Sequence, residues 1–430
     1  MPESVTAALP PVRVDEDQAR RYAEIVDGLH ADGPRGRIIF CVSTDDLEEG
    51  KGDPYVALGL AKNLVDEGWG AALWPIRRWH ESPDAEPTVA IVMIDSFIPG
   101  LLPQATATVA WIRNWTDTWA ALPYLEEFDG IWCSSPDSAE VLRARYSGEV
   151  FVVPIGVDAE LFRPDGSYRP LPVITTANFW GAQRQVQTAL TAVSETTPVV
   201  WFGANREHLA PSRSITHADR VSFFGIASMY QRSKLVVDDL IEPARVYGSQ
   251  NSRLFESIAC GAVPITNSSI GLDFLGLGEV PTYHDGGSLA TVVHSLLSDE
   301  TALSERAERL RTVVAERHSF QRRAKEVAPL IATAIERARG RGERAAMLVW
   351  ATRERLNLQS AESLRDGHLI TIRRLERERA AHEKQIAELE SAREAQSTRL
   401  STIEASRAYR IGRRISRALA RVRARLPRRI

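Results

Sequence analysis

Between Gly248 and Glu256 the chain reads GSQNSRLFE, and here residue types and spacing best fit a chemical task. Gly248, Ser249, Gln250, Asn251 and Ser252 form a small, polar stretch, Arg253 follows at once, and Glu256 lies one helical turn further on. If a helix begins at Ser252, its free backbone N–H groups attract an anion, and an arginine in the first turn strengthens the attraction. A carboxylate so close to a phosphate site suits a ribose diol better than a phosphate. Together these residues fit a pocket for a nucleoside diphosphate, with Asn251, Ser252 and Arg253 on the phosphates and Glu256 on the ribose.

Other candidates are more scattered. The stretch 177–184 reads ANFWGAQR; Gly181 permits close backbone approach and Arg184 could reach a diphosphate. Lys234 is a poorer phosphate candidate than either arginine. A reaction that must deprotonate a hydroxyl needs a base, and Asp45, Asp46, Asp53, Asp95 and Asp117 stand at strand ends or in nearby loops. Asp95 closes the apolar run 87–95 and Asp53 follows Gly52, so these two lead, although each reads equally well as a cap or loop hydrogen-bonder. Tryptophans crowd the first half: Trp69, Trp74, Trp79, Trp111, Trp115, Trp119 and Trp132. Indole faces stack on sugar rings, which makes Trp111 and Trp115 candidates for an acceptor glycan; core packing explains the same residues. The histidines His80, His208, His217 and His284 have no metal-ligand spacing, and no metal site is apparent. Cys41, Cys133 and Cys260 lie far apart in apolar runs and read as buried thiols of a reducing compartment. No G-x-x-x-x-G-K-[ST] or G-x-G-x-x-G is present, so nucleotide hydrolysis and dinucleotide binding lack their signatures.

Positioning Arg253 and Glu256 requires a framework of alternating strands and helices. Residues 221–224 read as a buried strand ending at Gly225, 228–233 as a short helix, and 235–237 as a small strand. Residues 252–259 place Leu254, Phe255, Ile258 and Ala259 at helical spacing, Gly261 supplies the left-handed stop, and 262–266 is the next strand, with Pro264 inside it. Upstream, 16–30 is expected to be helical; 37–43, 70–75, 87–95, 107–112, 130–134 and 150–154 are expected strands, with helices at 54–67 and 137–146. A second alternating unit begins with strands at 173–176 and 199–203 around a helix ending at 194. The stretch 165–172, rich in Pro and Gly, is the expected hinge. Helical, charged residues 301–339 are expected to pack on the second half.

At this point a family resemblance appears. The segment around Arg253 resembles the donor-binding half of GT-B glycosyltransferases of the "glycosyl transferases group 1" type. There a strand ending in Gly, a short helix with Tyr and a variable loop precede R-x-x-E-[AS]-x-A-[CS]-G-x-P-[VI]. The counterparts here are Gly225, Tyr230 and RLFESIACGAVPI over residues 253–265. Two residues separate Gly261 from Pro264 where the family has one. Gly248 stands where many relatives carry a first glutamate, which handles the donor sugar. FVVPIGVDAELFRP at 151–164 resembles the segment closing the first domain of these enzymes. SRAYRIGRR at 406–414 resembles an ending found after coiled coils in surface-polysaccharide glycosyltransferases. The resemblance covers roughly residues 37–335. It implies a sugar nucleotide as co-substrate, backbone contact of Gly225 and Ile226 with the nucleobase, and transfer that needs neither a divalent cation nor another cofactor.

Composition bounds the rest. The 430 residues are 44% hydrophobic and 25% charged, ordinary values for soluble globular protein and enough for two to three domains. No run of eighteen apolar residues exists and the N-terminus lacks a signal-peptide pattern. Charge is uneven: 407–430 hold ten arginines and no acid, so the net charge of −3 conceals −13 over residues 1–406. A heptad runs from Ile372, with Ile372, Arg379, Ile386, Arg393 and Leu400 at one seam position and Leu375, His382, Leu389, Gln396 and Ile403 at the other. With four of ten positions polar, a weak coiled coil and self-association through it are the expectation. In the tail Ile411, Ile415, Ala418, Leu419, Val422 and Leu426 share a helical face ringed by arginine, which suits anionic lipid better than nucleic acid.

The sequence therefore predicts an α/β protein with two Rossmann-like parallel-sheet domains facing a cleft (GT-B), followed by a C-terminal helical, coiled-coil extension. The expected divisions are an N-terminal segment 1–34, an acceptor domain 35–165, a donor domain 170–339, a coiled-coil region 343–406 and a basic tail 407–430. The expected function is transfer of a sugar from a nucleotide-diphosphate sugar to a glycan or lipid-linked acceptor in cell-surface polysaccharide synthesis, by a cytoplasmic protein held at the inner face of the membrane. A non-catalytic GT-B scaffold at the membrane and a sugar-nucleotide epimerase are the alternatives.

Overall fold

The computed structural model of the chain describes residues 9–83, 85–178, 185–203, 215–342 and 346–425. Two compact units form, Met1–Leu356 and Asn357–Ile430. In chain order the first half of the larger unit contains α1 (Glu16–Val26), β1 (Arg37–Val42), α2 (Gly52–Asp66), β2 (Gly70–Pro75), β3 (Val89–Val92), β4 (Ala107–Ile112), α3 (Thr116–Ala120), β5 (Gly130–Cys133), α4 (Pro136–Arg143) and β6 (Val150–Val152). Its second half contains β7 (Leu171–Thr175), α5 (Gln185–Ser194), β8 (Val199–Phe202), β9 (Ile215–Ala218), α6 (Phe223–Gln231), β10 (Ser233–Val237), α7 (Glu242–Arg245), α8 (Ser252–Ala259), β11 (Val263–Ile265), α9 (Leu272–Leu275), α10 (Gly286–Ser298) and α11 (Glu300–Arg317). Then follow α12 (Phe320–Gly340), α13 (Ala346–Ala405) and α14 (Arg407–Arg425).

The strands make two sheets, ordered β2-β1-β3-β4-β5-β6 and β11-β10-β7-β8-β9, and every pairing is parallel. Parallel strands covered on both faces must be apolar throughout, and β3, β4 and β5 are buried at every position. Pro264 is tolerated in β11 because that strand lies at a sheet edge. Most predicted elements stand within a few residues of their expected limits; β2, β4 and α8 coincide with them.

Three expectations fail, each for a long-range reason. Residues 221–224 are not a strand: β9 takes the sheet position, and α6 starts at Phe223 with Gly225 inside it. The run is apolar because it meets the first half, where Phe223 stacks on Tyr55 at 3.9 Å and 15° and Phe224 meets Tyr22 edge-on at 5.3 Å. Second, α12 packs against α2, β4 and β5 of the first sheet, away from the second. The Phe320 ring fills the space left by Gly59, where a Cβ would come within 2.4 Å of it, and just beyond α12 Arg341 pairs with buried Asp129 at 2.5 Å. Third, Trp111 belongs to the core: it is 0% exposed, donates Nε1–H to the Val153 carbonyl at 2.9 Å and meets Trp132 edge-on.

The chain thus passes between the halves twice, and the passages lie side by side. Val157 N–H donates to the His318 carbonyl at 2.8 Å, and Phe320 N–H to the Val157 carbonyl at 2.9 Å. A buried polar knot fixes α1 to this junction: Lys62 Nζ donates to Asp158 (2.5 Å), Glu160 (2.9 Å) and Gln18 (2.8 Å), and the Tyr22 hydroxyl to Asp158 (2.9 Å).

In the smaller unit α13 continues as one helix to Ala405, and Ser406 separates it from α14. Ile372, Leu375, Ile386, Leu389, Leu400 and Ile403 are all exposed, as are Ile411, Ile415 and Leu419 of α14.

Candidate active site

The site is built on the N-terminus of α8. Asn251 precedes the helix, yet its side chain makes no cap; Nδ2 donates instead to Asp238, at 3.1 and 3.3 Å, and to the Asp239 carbonyl. The first N–H groups of α8 are therefore left without a side-chain partner. Asp238 follows β10, is fully buried, and also accepts from the Arg253 guanidinium. It holds Arg253 at the helix start, as a strand-end carboxylate holds a mobile cation in place. Burial works to discharge Arg253, but Asp238, Tyr230 and Glu256 outweigh it, so its pKa is raised and the residue stays charged.

Glu256 lies one turn deeper and is 8% exposed. Burial pushes its carboxyl up to about 7, with Ser252 and Arg253 pulling it down and Asp238 adding to the rise. Ser252, Arg253 and Glu256 line a cavity of about 230 Å³ whose opposite wall is the glycine-flanked loop 50–52 and Tyr55, with Gly156, Thr176 and Tyr230 completing it. Both halves of the larger unit contribute, so the cavity lies in the cleft between the two sheets. A second cavity, about 290 Å³, shares Gly52, Val56, Ser252 and Arg253 with the first. Its remaining lining includes Asp53, Arg113, Asn114, Ser249, Gln250 and Asn251.

Five donor-side residues read from the sequence can be placed. Asn251, Ser252, Arg253 and Glu256 gather at the two cavities. Gly225 does not line them, although Ile226 beside it lines the first; a Cβ on Gly225 would stand 2.6 Å from Val12, so the glycine serves close packing of the irregular N-terminal segment on α6. Gly181 and Arg184 lie outside the described residues. Of the acids, Asp53 accepts from Ser43 N (2.6 Å) and Ser43 Oγ (2.7 Å) and borders the second cavity. Asp95 borders neither; its backbone carbonyl accepts from Tyr124 at 3.0 Å. Asp45 pairs with Arg77, Asp46 accepts from Glu48 N, and Asp117 accepts from the Tyr247 hydroxyl at 2.5 Å. Lys234 pairs with Glu300 at 2.7 Å. Six of the seven first-half tryptophans are buried. Trp115 alone among them is exposed, at 48%, and it is the one non-glycine described residue with positive φ, +58°.

Sequence reading missed Asp238 as the partner of Arg253, Arg113 at the end of β4, and Arg220, which donates to the Glu48 and Leu47 carbonyls across the cleft. The signal for Arg113 was present, since ligands collect at the carboxyl ends of parallel strands.

No curated protein matches the chain. Residues 183–328 match a family model described as glycosyl transferase-like. Among solved structures, sucrose-phosphate synthase of Thermosynechococcus elongatus aligns with a TM-score of 0.53 at 13% identity, over 70% of this chain and 99% of its own. Anabaena Alr3699/HepE, in complex with UDP-glucose, aligns with a TM-score of 0.54 at 11% identity, over 69% of this chain and 100% of its own. The chain has the GT-B glycosyltransferase fold. In this GT-B chain the glycosyl transferase-like segment holds Asn251, Ser252, Arg253 and Glu256, while Asp53, Asp95, Trp111 and Trp115 lie before it.

Proposed function

We propose that the protein transfers a sugar from a nucleotide-diphosphate sugar to a glycan or lipid-linked acceptor. The observation that carries this reading is the pairing, at the uncapped N-terminus of α8 and inside the cleft, of a charged Arg253 with a buried Glu256. Arg253 and the helix N–H groups would hold the diphosphate and take up the charge that grows on it as the sugar leaves, without a divalent cation. Glu256 would accept from the ribose hydroxyls. The similar fold of HepE with UDP-glucose supports a sugar nucleotide as the ligand. Of the two carboxylates expected to serve as base, Asp53 borders the second cavity and is the better placed.

The basic, amphipathic α14 supports a cytoplasmic enzyme resting on an anionic membrane surface, where a lipid-linked precursor of a cell-surface polysaccharide would be within reach. No helix among the described residues is long and apolar enough to cross a membrane. The exposed apolar pairs of α13 support self-association through a coiled coil.

The melting temperature of the full-length chain, measured against nucleoside diphosphates and sugar nucleotides, tests the donor assignment. A ligand at a hundredfold excess over Kd adds about 2.7 kcal/mol to the folded state. One base should raise the melting temperature in the wild type and not in Glu256→Ala; no shift with any nucleotide overturns the reading. Gly248 favours a second reading, a nucleotide-binding scaffold that transfers nothing. Nucleotide binding without product from any acceptor extract would select it.

A further inference from the structure

Three residues that line the second cavity carry buried polar atoms that no described residue satisfies. Ser249 and Gln250 are 2% and 6% exposed, yet Ser249 Oγ and Gln250 Oε1 have no hydrogen-bond partner. The Gln250 amide is fixed in place, because Nε2 donates to the Ile270 carbonyl at 2.9 Å. On the facing wall Arg113 Nε is buried and also without a partner. No ion pair or hydrogen bond joins the Arg113 guanidinium to another described residue. Asp53, the carboxylate that acts on it, is already engaged through both oxygens by Ser43. The Arg113 side chain is half-buried with no carboxylate paired to it, and burial pulls its pKa down from its ordinary value with Asp53 opposing.

These groups specify a ligand. A guanidinium fork matches the oxygens of a phosphate or carboxylate. A serine hydroxyl and an amide carbonyl oxygen match hydroxyl groups, the serine as donor or acceptor and the carbonyl as acceptor. Because the cavity adjoins the nucleotide cavity along Ser252 and Arg253, a molecule there would meet the end of the donor that carries the sugar. We propose that this cavity is an acceptor subsite for a hydroxylated molecule bearing an oxyanion, a phosphate ester or a carboxylate, which Arg113 binds. The proposal rests on the transferase reading and names the chemical class of its acceptor.

Titration calorimetry on the full-length chain, already saturated with the nucleoside diphosphate it binds, tests it. The probes are glucose 6-phosphate, glucuronate, butyl phosphate as stand-in for a lipid headgroup, and neutral glucose. At least one charged probe should bind while glucose does not. Glucose 6-phosphate alone points to a sugar phosphate, butyl phosphate as well to a lipid phosphate, and glucuronate to an acidic glycan. Arg113→Met should weaken the charged probe by roughly tenfold or more, and Arg113→Lys by less, with nucleotide affinity unchanged in both. Competition between the charged probe and the nucleotide places the anion in the donor site and overturns the proposal. So does nucleotide binding with no charged probe bound, or full binding in Arg113→Met; these outcomes leave the transferase reading intact. Failure of nucleotide itself to bind overturns both.

Discussion

Glu256 carries the sharpest consequence at the scale of single residues. Its folded pKa of about 7 is above the usual value of 4.5, so the folded state holds a proton that the unfolded state has released between those values. The carboxyl's favourable contribution is complete below pH 4.5 and is lost as pH rises through 7. Glu256→Gln, which keeps a neutral side chain at all pH values, should therefore gain stability over the wild type between pH 5 and 8, by up to about 3 kcal/mol. Denaturant unfolding at intervals of half a pH unit checks this. Binding runs the opposite way, because a ribose diol needs the ionised form as acceptor. Nucleotide affinity of the wild type should rise roughly tenfold from pH 6 to 8, while that of Glu256→Gln stays flat. The two slopes together separate a ligand-facing carboxylate from one that is merely buried.

Among the elements, the turn before α8 decides what the site can contain. Gly248 has φ +66°, and a Cβ there would stand 2.7 Å from the backbone of Ile270. No side chain fits, so the glutamate that many GT-B glycosyltransferases of this type carry at that position has no place here. Restoring it would break the turn and would not restore a function: Gly248→Ala should destabilise the protein by about 2–4 kcal/mol, and Gly248→Glu by more, read as melting temperature. The crossing of α12 has a similar steric basis. Its first residue, Phe320, fits only because Gly59 in α2 lacks a side chain, and Gly156 leaves room for the same ring. The passage between the halves is fixed in this way on the first sheet.

For the whole molecule the uneven charge matters most. An acidic body and a tail with ten arginines would repel and attract the same anionic surface, so only the tail can hold the protein there. Deleting residues 407–430 should abolish sedimentation with phosphatidylglycerol vesicles while leaving nucleotide binding unchanged. Phosphatidylcholine vesicles should retain neither form, and raising the salt from 0.1 to about 1 M should release the full-length chain, since the screening length falls to about 3 Å. Sedimentation with neutral vesicles would instead assign the binding to the apolar face of α14.

The sequence alone determined whatever depends on neighbours in the chain. Periodicity placed β2, β4 and α8 at their observed limits, Gly261 ended α8 with φ +80°, and the order Ser252, Arg253, Glu256 put cation and carboxylate on one helix turn. Apolar runs and glycine stops act within a few residues, so a linear reading captures them. What only the tertiary structure decided depends on residues far apart. Val221 to Phe224 is as apolar as a strand, but its rings face Tyr55 and Tyr22 of the other half. Trp111 and Trp115 are alike in sequence; one lies on a central strand and is buried, the other follows it at a left-handed turn and is exposed. Arg253 is held by Asp238 from the end of a neighbouring strand, and Arg113 lines one cavity with Ser249 and Gln250 only because the two sheets face each other across the cleft. A residue's type and local spacing set what it can do, while the sheets, by bringing together strand ends distant in sequence, set which of those residues share a cavity.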